Sequence, residues 1–249
     1  MDRPILLFVF SIVVLWAAGR LGAWLCNRRP ILHEKERDNF SVILGATLTL
    51  LGLIIGFSFS MAISRYDQRK TYEEAEANAI GTEYLRADLL QTDAAAKTQT
   101  LLRKYLDQRV LFYQVGSGDL AHVNADTAEL QNALWSAIRP SAAAQPTPIV
   151  GLVVSGMNDV LNSQGYTQAA WWNRIPFAAW CLMLQIAIFG NILLGYYLQD
   201  PQIKGFFFLI LPLILSISFL LIADIDSPRG GFIRVNPQNL ISLSQSLPH

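Results

Sequence analysis

Residues 41–70 read SVILGATLTLLGLIIGFSFSMAISRYDQRK. From Ser41 to Ser64 the stretch holds no charged residue, and a bilayer is crossed by about 20 apolar residues in a helix. Gly45, Gly52, Gly56, Ser60 and Ser64 recur mostly at four-residue spacing. Small residues so placed form a ridge that lets a second helix approach closely. Arg65-Tyr66-Asp67-Gln68-Arg69-Lys70 follows with no Gly or Pro to stop the helix. A membrane helix that packs tightly and continues into a charged region points to an oligomeric membrane protein rather than an enzyme.

The rest of the chain agrees. Only 15% of its 249 residues are charged, against about 25% in a typical soluble domain, and 52% are hydrophobic. The formal net charge is zero, so no nucleic-acid partner is indicated. Four segments meet the length test: Ile5 to Cys26, Phe40 to Ser64, Ile175 to Leu198 (opened by Pro176) and Gly205 to Ala223 (with Pro212 inside). Pro201 enforces a short turn that makes the last two an antiparallel hairpin. The first segment has a longer apolar core than a cleaved signal, and Trp24-Leu25 precede Cys26 where a lipoprotein site needs small residues. It reads as a retained span, with Arg20 snorkelling to the interface. Cys26 and Cys181 read as two buried membrane thiols.

An even number of spans places both termini and the region from Arg65 to Asn173 on one side. That side carries Arg3, Arg65, Arg69, Lys70, Arg174, Arg229 and Arg234, against Arg28, Arg29, Lys35, Arg37 and Lys204 on the other. The larger basic set predicts a cytoplasmic placement for the termini and the long region.

Residues 65–173 read as helical, with no strand pattern, so the chain is all-α. Tyr66, Tyr72, Ile80, Tyr84 and Leu89 form an apolar stripe on the first helix. Thr92-Asp93 starts a second helix over Ala94 to Val115, with Leu101, Leu102, Tyr105, Leu106 and Phe112 inward; Gly116-Ser117-Gly118 ends it. Asp119 caps a third, carrying Leu120, Val123, Leu130, Leu134 and Ile138. Pro140 to Pro148 reads as a loop, Ile149 to Asn162 as a fourth helix, and Gly165 as a break before Trp171-Trp172, an aromatic interface marker. So lightly apolar a region predicts helices leaning on one another or on neighbouring subunits, not a deep independent core.

No catalytic signature is present: no nucleophile elbow, phosphate-binding glycine loop or His-Glu-x-x-His. His33, His122 and His249 lie in separate regions, so neither a metal nor a cofactor is expected. Glu73, Glu74 and Glu76 read as a solvated face; the sharper reading makes them an acidic ring in a symmetric vestibule. Gln185 and Asn191 read as interhelical hydrogen-bonders. Beside the glycine ridge, Thr49, Leu53 and Phe57 stand at four-residue spacing. Around a symmetry axis they would stack as apolar rings, and a narrow apolar ring gates ions by resisting wetting.

Gly56-Phe57, followed by Arg65-Tyr66, resembles the second membrane helix of bestrophins. The run Gly56-Phe57-Ser58-Phe59-Ser60-Met61 with Ser64-Arg65-Tyr66-Asp67-Gln68-Arg69, the segment Glu74 to Thr82, and the ending Asp226-Ser227-Pro228-Arg229-Gly230 resemble bacterial bestrophin-like membrane proteins over most of the chain. The resemblance implies four spans, a helical cytosolic domain, a homo-oligomer (a pentamer in bestrophins) and passage of small anions through a pore lined by the second helix. By position, the neck would be Thr49, Leu53 and Phe57; bestrophins have bulky apolar residues at all three places, so Thr49 departs. Animal bestrophins hold calcium on an acidic run after the last span. Arg229-Gly230-Gly231-Phe232 stands here instead, so calcium gating is not expected.

The expected organisation is therefore membrane helices 1 and 2 over 1–64, a helical cytosolic domain over 65–173, a membrane hairpin over 174–224 and a tail over 225–249, in a bacterial inner membrane. The rival reading is a non-conducting scaffold or sensor whose helical domain binds a cytosolic partner.

Overall fold

The computed structural model describes residues 3–28, 34–116, 118–198 and 207–248. Ser117, Pro201, Lys204, His33 and His249 lie outside them, so the turn expected at Pro201 is not described. Among the described residues there are eight α-helices, one 3-10 turn and no strand. They are α1 (Pro4–Arg28), α2 (Glu34–Arg86), α3 (Thr92–Gln114), α4 (Leu120–Ala144), α5 (Pro148–Trp172), α6 (Phe177–Tyr197), α7 (Phe207–Asp226) and α8 (Gln238–Ser246). Four stretches are long and apolar enough to cross a membrane, one each within Pro4–Arg28, Arg37–Leu89, Pro148–Tyr197 and Phe208–Asp226. α2 runs 53 residues without interruption, as the absence of Pro from 34 to 86 allows.

The chain divides into two compact units. One comprises Met1–Arg65 with Arg174–Arg234, the other Tyr66–Asn173 with Val235–His249. In the first, α1 packs along both α6 and α7. The contact with α6 is backbone on backbone. A Cβ on Gly22 would stand 2.0 Å from the Ile192 carbonyl oxygen, and one on Gly195 would stand 2.1 Å from that of Gly19. Trp180 of α6 meets Phe219 of α7 edge-on at 6.4 Å. α2 touches α6 through Leu48 on Gly190 and Phe40 against Tyr196 and Tyr197. Arg20 is exposed beside Trp16. Of the two cysteines, Cys26 is buried, but Cys181 faces outward, which corrects the expectation for it. Asn191 is buried yet donates to its own helix at Ala187 rather than to another, and Gln185 is exposed.

The second unit has the deep core that its composition argued against. Leu102, Tyr105, Leu106, Phe112, Leu134, Ile138, Val153, Met157 and Val160 are buried in it with Ile80 of α2 and Leu240 of α8. Trp171 belongs to this core, edge-on to Phe112 and Tyr113, rather than marking an interface; Trp172 is exposed. Two helix boundaries differ from expectation. α4 continues through Pro140 to Ala144: the proline removes one backbone bond near the helix end, and the alanines after it sustain the turn. α5 begins at Pro148, capped by the Thr147 hydroxyl on the Val150 N–H, and passes through Gly165 to Trp172. Burial of Ser163, Thr167 and Ala170 on its inner face outweighs the weak propensity of that glycine. Asp119 occupies the position before α4, but its side chain makes no capping bond.

Candidate functional site

α2 presents two opposite faces within the first unit. Leu44, Leu51, Ser58 and Ala62 are buried, at the seven- and four-residue spacing of one helical face. Thr49, Leu53 and Phe57 stand on the opposite side and are exposed, Leu53 at 55% and Phe57 at 64%. Gly45, Gly52 and Gly56 share that outward side, and nothing lies within 4 Å of where a Cβ would sit on any of them. Ser60 and Ser64 are exposed as well. The glycine ridge and the row beside it therefore form one continuous surface, left open among the described residues. The tight glycine contacts that α1 makes inside the first unit are those of Gly19 and Gly22, with Gly195 of α6 set against Gly19. The three-residue spacing of Gly19 and Gly22 was the available sequence signal.

The lower end of this span is fixed by the last motif of the fourth. Asp226 accepts the Ile175 N–H at 3.1 Å on each oxygen, and Arg65 Nη1 lies 3.5 Å from Oδ1. One carboxylate thus ties α2 and the entry to α6 to the end of α7. Two residues earlier, Asp224 accepts the N–H groups of Phe232 and Ile233, both at 2.8 Å. The turn between is closed by Gly230 N–H on Ser227 Oγ at 3.1 Å, with Pro228 buried and Arg229 half-buried. A Cβ on Gly231 would stand 2.5 Å from the Asp224 carbonyl oxygen, so only glycine fits there.

In the second unit, the charged continuation of α2 turns inward. Tyr66 packs partly against the core, with Lys70 Nζ 6.0 Å from its ring centre; Asp67 is exposed. Arg69 is buried and donates to the Ala170 carbonyl in the last turn of α5, where a cation also complements the helix dipole. Glu73 and Glu76 are buried, which overturns both the solvated-face and the acidic-ring readings for them; only Glu74 is exposed. Glu73 accepts the N–H groups of Asn239 and Leu240 at 3.0 Å and the Asn239 amide at 2.6 Å, so it caps α8 from another helix. Glu76 pairs with the fully buried Arg109 at 2.5 Å and accepts from Thr167 at 3.2 Å. The Arg109 guanidinium lies 4.4 Å from the Phe112 ring centre. Burial pulls the pKa of Arg109 down, but the charge and hydrogen bond of Glu76, together with Tyr105 and Tyr113, outweigh it and hold the guanidinium ionised. Burial, then the same charge, pushes Tyr105 and Tyr113 up and keeps both phenols protonated.

Among the described residues, no three His, Cys, Asp or Glu side chains gather as a metal site would require. His122 is exposed beside Asp126.

The fold matches two crystal structures of a bacterial bestrophin homologue from Klebsiella pneumoniae. One is a single-substitution variant, matched at a TM-score of 0.67 and 15% identity over 96% of this chain and 99% of that one. The other, phased on zinc, gives 0.66 and 15% over 98% and 99%. No curated protein matches in sequence. A family model, the bestrophin-like domain, matches residues 13–240, and the chain belongs to that family.

Proposed function

We propose that the protein is a homo-oligomeric membrane channel for small anions, with α2 facing the axis. The observation that carries this reading is the uncovered outward face of α2. A polar vestibule would not need a ridge of glycines, and a helix meant only for lipid would not need one either. Copies of α2 meeting around an axis would use Gly45, Gly52, Gly56, Ser60 and Ser64 for close approach and set Thr49, Leu53 and Phe57 as successive rings. Rings of Leu and Phe resist wetting and so restrict ion flow. Gly56 beside Phe57 leaves the ring room to change rotamer, and Thr49 makes a smaller, more polar ring. Family membership supports the anion reading, because bestrophins are anion channels in general. The placement of the second unit on the cytoplasmic side of a bacterial inner membrane rests on the basic residues near the span ends.

The test is recording from the purified protein in planar bilayers under a chloride gradient. The reading expects currents whose reversal potential follows chloride, and larger currents in Phe57→Ala. Silence in both proteins, together with a detergent mass below about four subunits, too few to enclose an axis with one helix each, favours the non-conducting scaffold.

A further inference from the structure

Three acidic side chains on the inner face of α2 are buried in the second unit, and one of them has no donor. Glu73 and Glu76 are each met by several hydrogen-bond donors. Glu83 is 0% exposed, yet neither of its carboxylate oxygens accepts a hydrogen bond. It fits because α5 has a glycine opposite: a Cβ on Gly156 would stand 2.0 Å from Glu83 Oε2 and 2.5 Å from Arg86 Nη1. Gly156 lies in mid-helix, so its own N–H is committed to the α5 ladder and offers nothing to the carboxyl. A buried, ionised carboxylate without donors is costly, and such a group takes up a proton instead.

We propose that Glu83 is a proton-binding site of the helical unit, holding α2 against Gly156 when protonated and loosening that contact when it ionises. The charged groups that face it are Arg86, one turn further along α2, and Asp159 on α5. Asp88, on the 3-10 turn that follows, is engaged by the Gln99 amide at 2.8 Å. Burial pushes Glu83 up to about 8; Arg86 pulls it down and Asp159 adds to the rise. The folded state therefore holds a proton that the unfolded chain releases near 4.5. The contribution to stability is full below that value, falls as pH rises from it to about 8, and is level above. This inference does not depend on conduction.

The experiment uses the full-length protein in detergent. Its melting temperature is followed from about pH 5 to about pH 10, beside Glu83→Gln, which keeps the shape and cannot ionise. The wild type is expected to lose several degrees up to about pH 8 and then level off, with that loss absent from Glu83→Gln. Infrared difference spectra of the wild type should show a protonated-carboxyl carbonyl band that disappears as pH rises through about 8 and that Glu83→Gln lacks. Identical pH dependence in the two proteins overturns the proposal. So does the absence of that band from the wild type, a result that stands even if the variant fails to fold.

Discussion

The two halves of α2 invert the usual relation between polarity and burial. From Val42 to Ser64 the helix is apolar, and Val42, Ile43, Leu53 and Phe57 point outward while Leu44 and Leu51 are buried. From Tyr66 to Arg86 it is charged, and Arg69, Glu73, Glu76 and Glu83 point inward. In the first half the span is of a length and composition that crosses a membrane, where exposure of Leu or Phe to lipid carries no aqueous cost. In the second half Arg69, Glu73 and Glu76 are buried where specific donors or counter-charges meet them, as the cost of desolvating a charge requires, and Glu83 is the carboxylate among them that no donor meets. The lesson is that hydropathy locates the span but does not say which face is inside.

The sharpest way to break this comparison is to remove one partner of the buried pair. Arg109→Met leaves Glu76 buried with only Thr167, and should cost about 3–5 kcal/mol in chemical denaturation of the purified protein. Combining it with Glu76→Leu should recover most of that loss. Next in size is a contrast between two glycines. Gly22→Leu drives a side chain into the Ile192 carbonyl and should destabilise the first unit by about 1–3 kcal/mol or prevent insertion. Gly56→Leu meets nothing within the chain; it should leave each subunit folded while altering assembly or current, as read by native mass measurement and bilayer recording. Equal damage from both would break the distinction between an inner and an outer glycine set. The smallest effect is expected from Glu73→Ala, which uncaps α8 at about 1 kcal/mol and should speed amide exchange over Gln238–Ser246 before any global change.

The spans were legible because hydropathy and length suffice for them, and the unbroken passage from Ser64 into Arg65 followed from the absence of Gly and Pro. The inward face of the charged half was not legible. Partners of Glu76 lie 33 and 91 residues away in the chain, and that of Glu73 lies 166 away, so nothing local distinguishes these carboxylates from the exposed Glu74. Pro140 and Gly165 misled for the same reason: local propensity marks them as breaks, while packing on the inner faces of α4 and α5 carries the helices through. Of the site, the row Thr49, Leu53 and Phe57 could be proposed from spacing. Its separation from the glycine ridge could not, since both belong to one open face.

The role of that face is tested most directly by chemical modification during recording. With Cys26 and Cys181 replaced by serine, Leu53→Cys is incorporated into a planar bilayer and exposed to a charged methanethiosulfonate reagent. A pore lined by α2 predicts a current that the reagent blocks irreversibly, with the same background lacking the introduced cysteine unaffected. A current that persists unchanged after labelling of the cysteine has been verified by mass would contradict it.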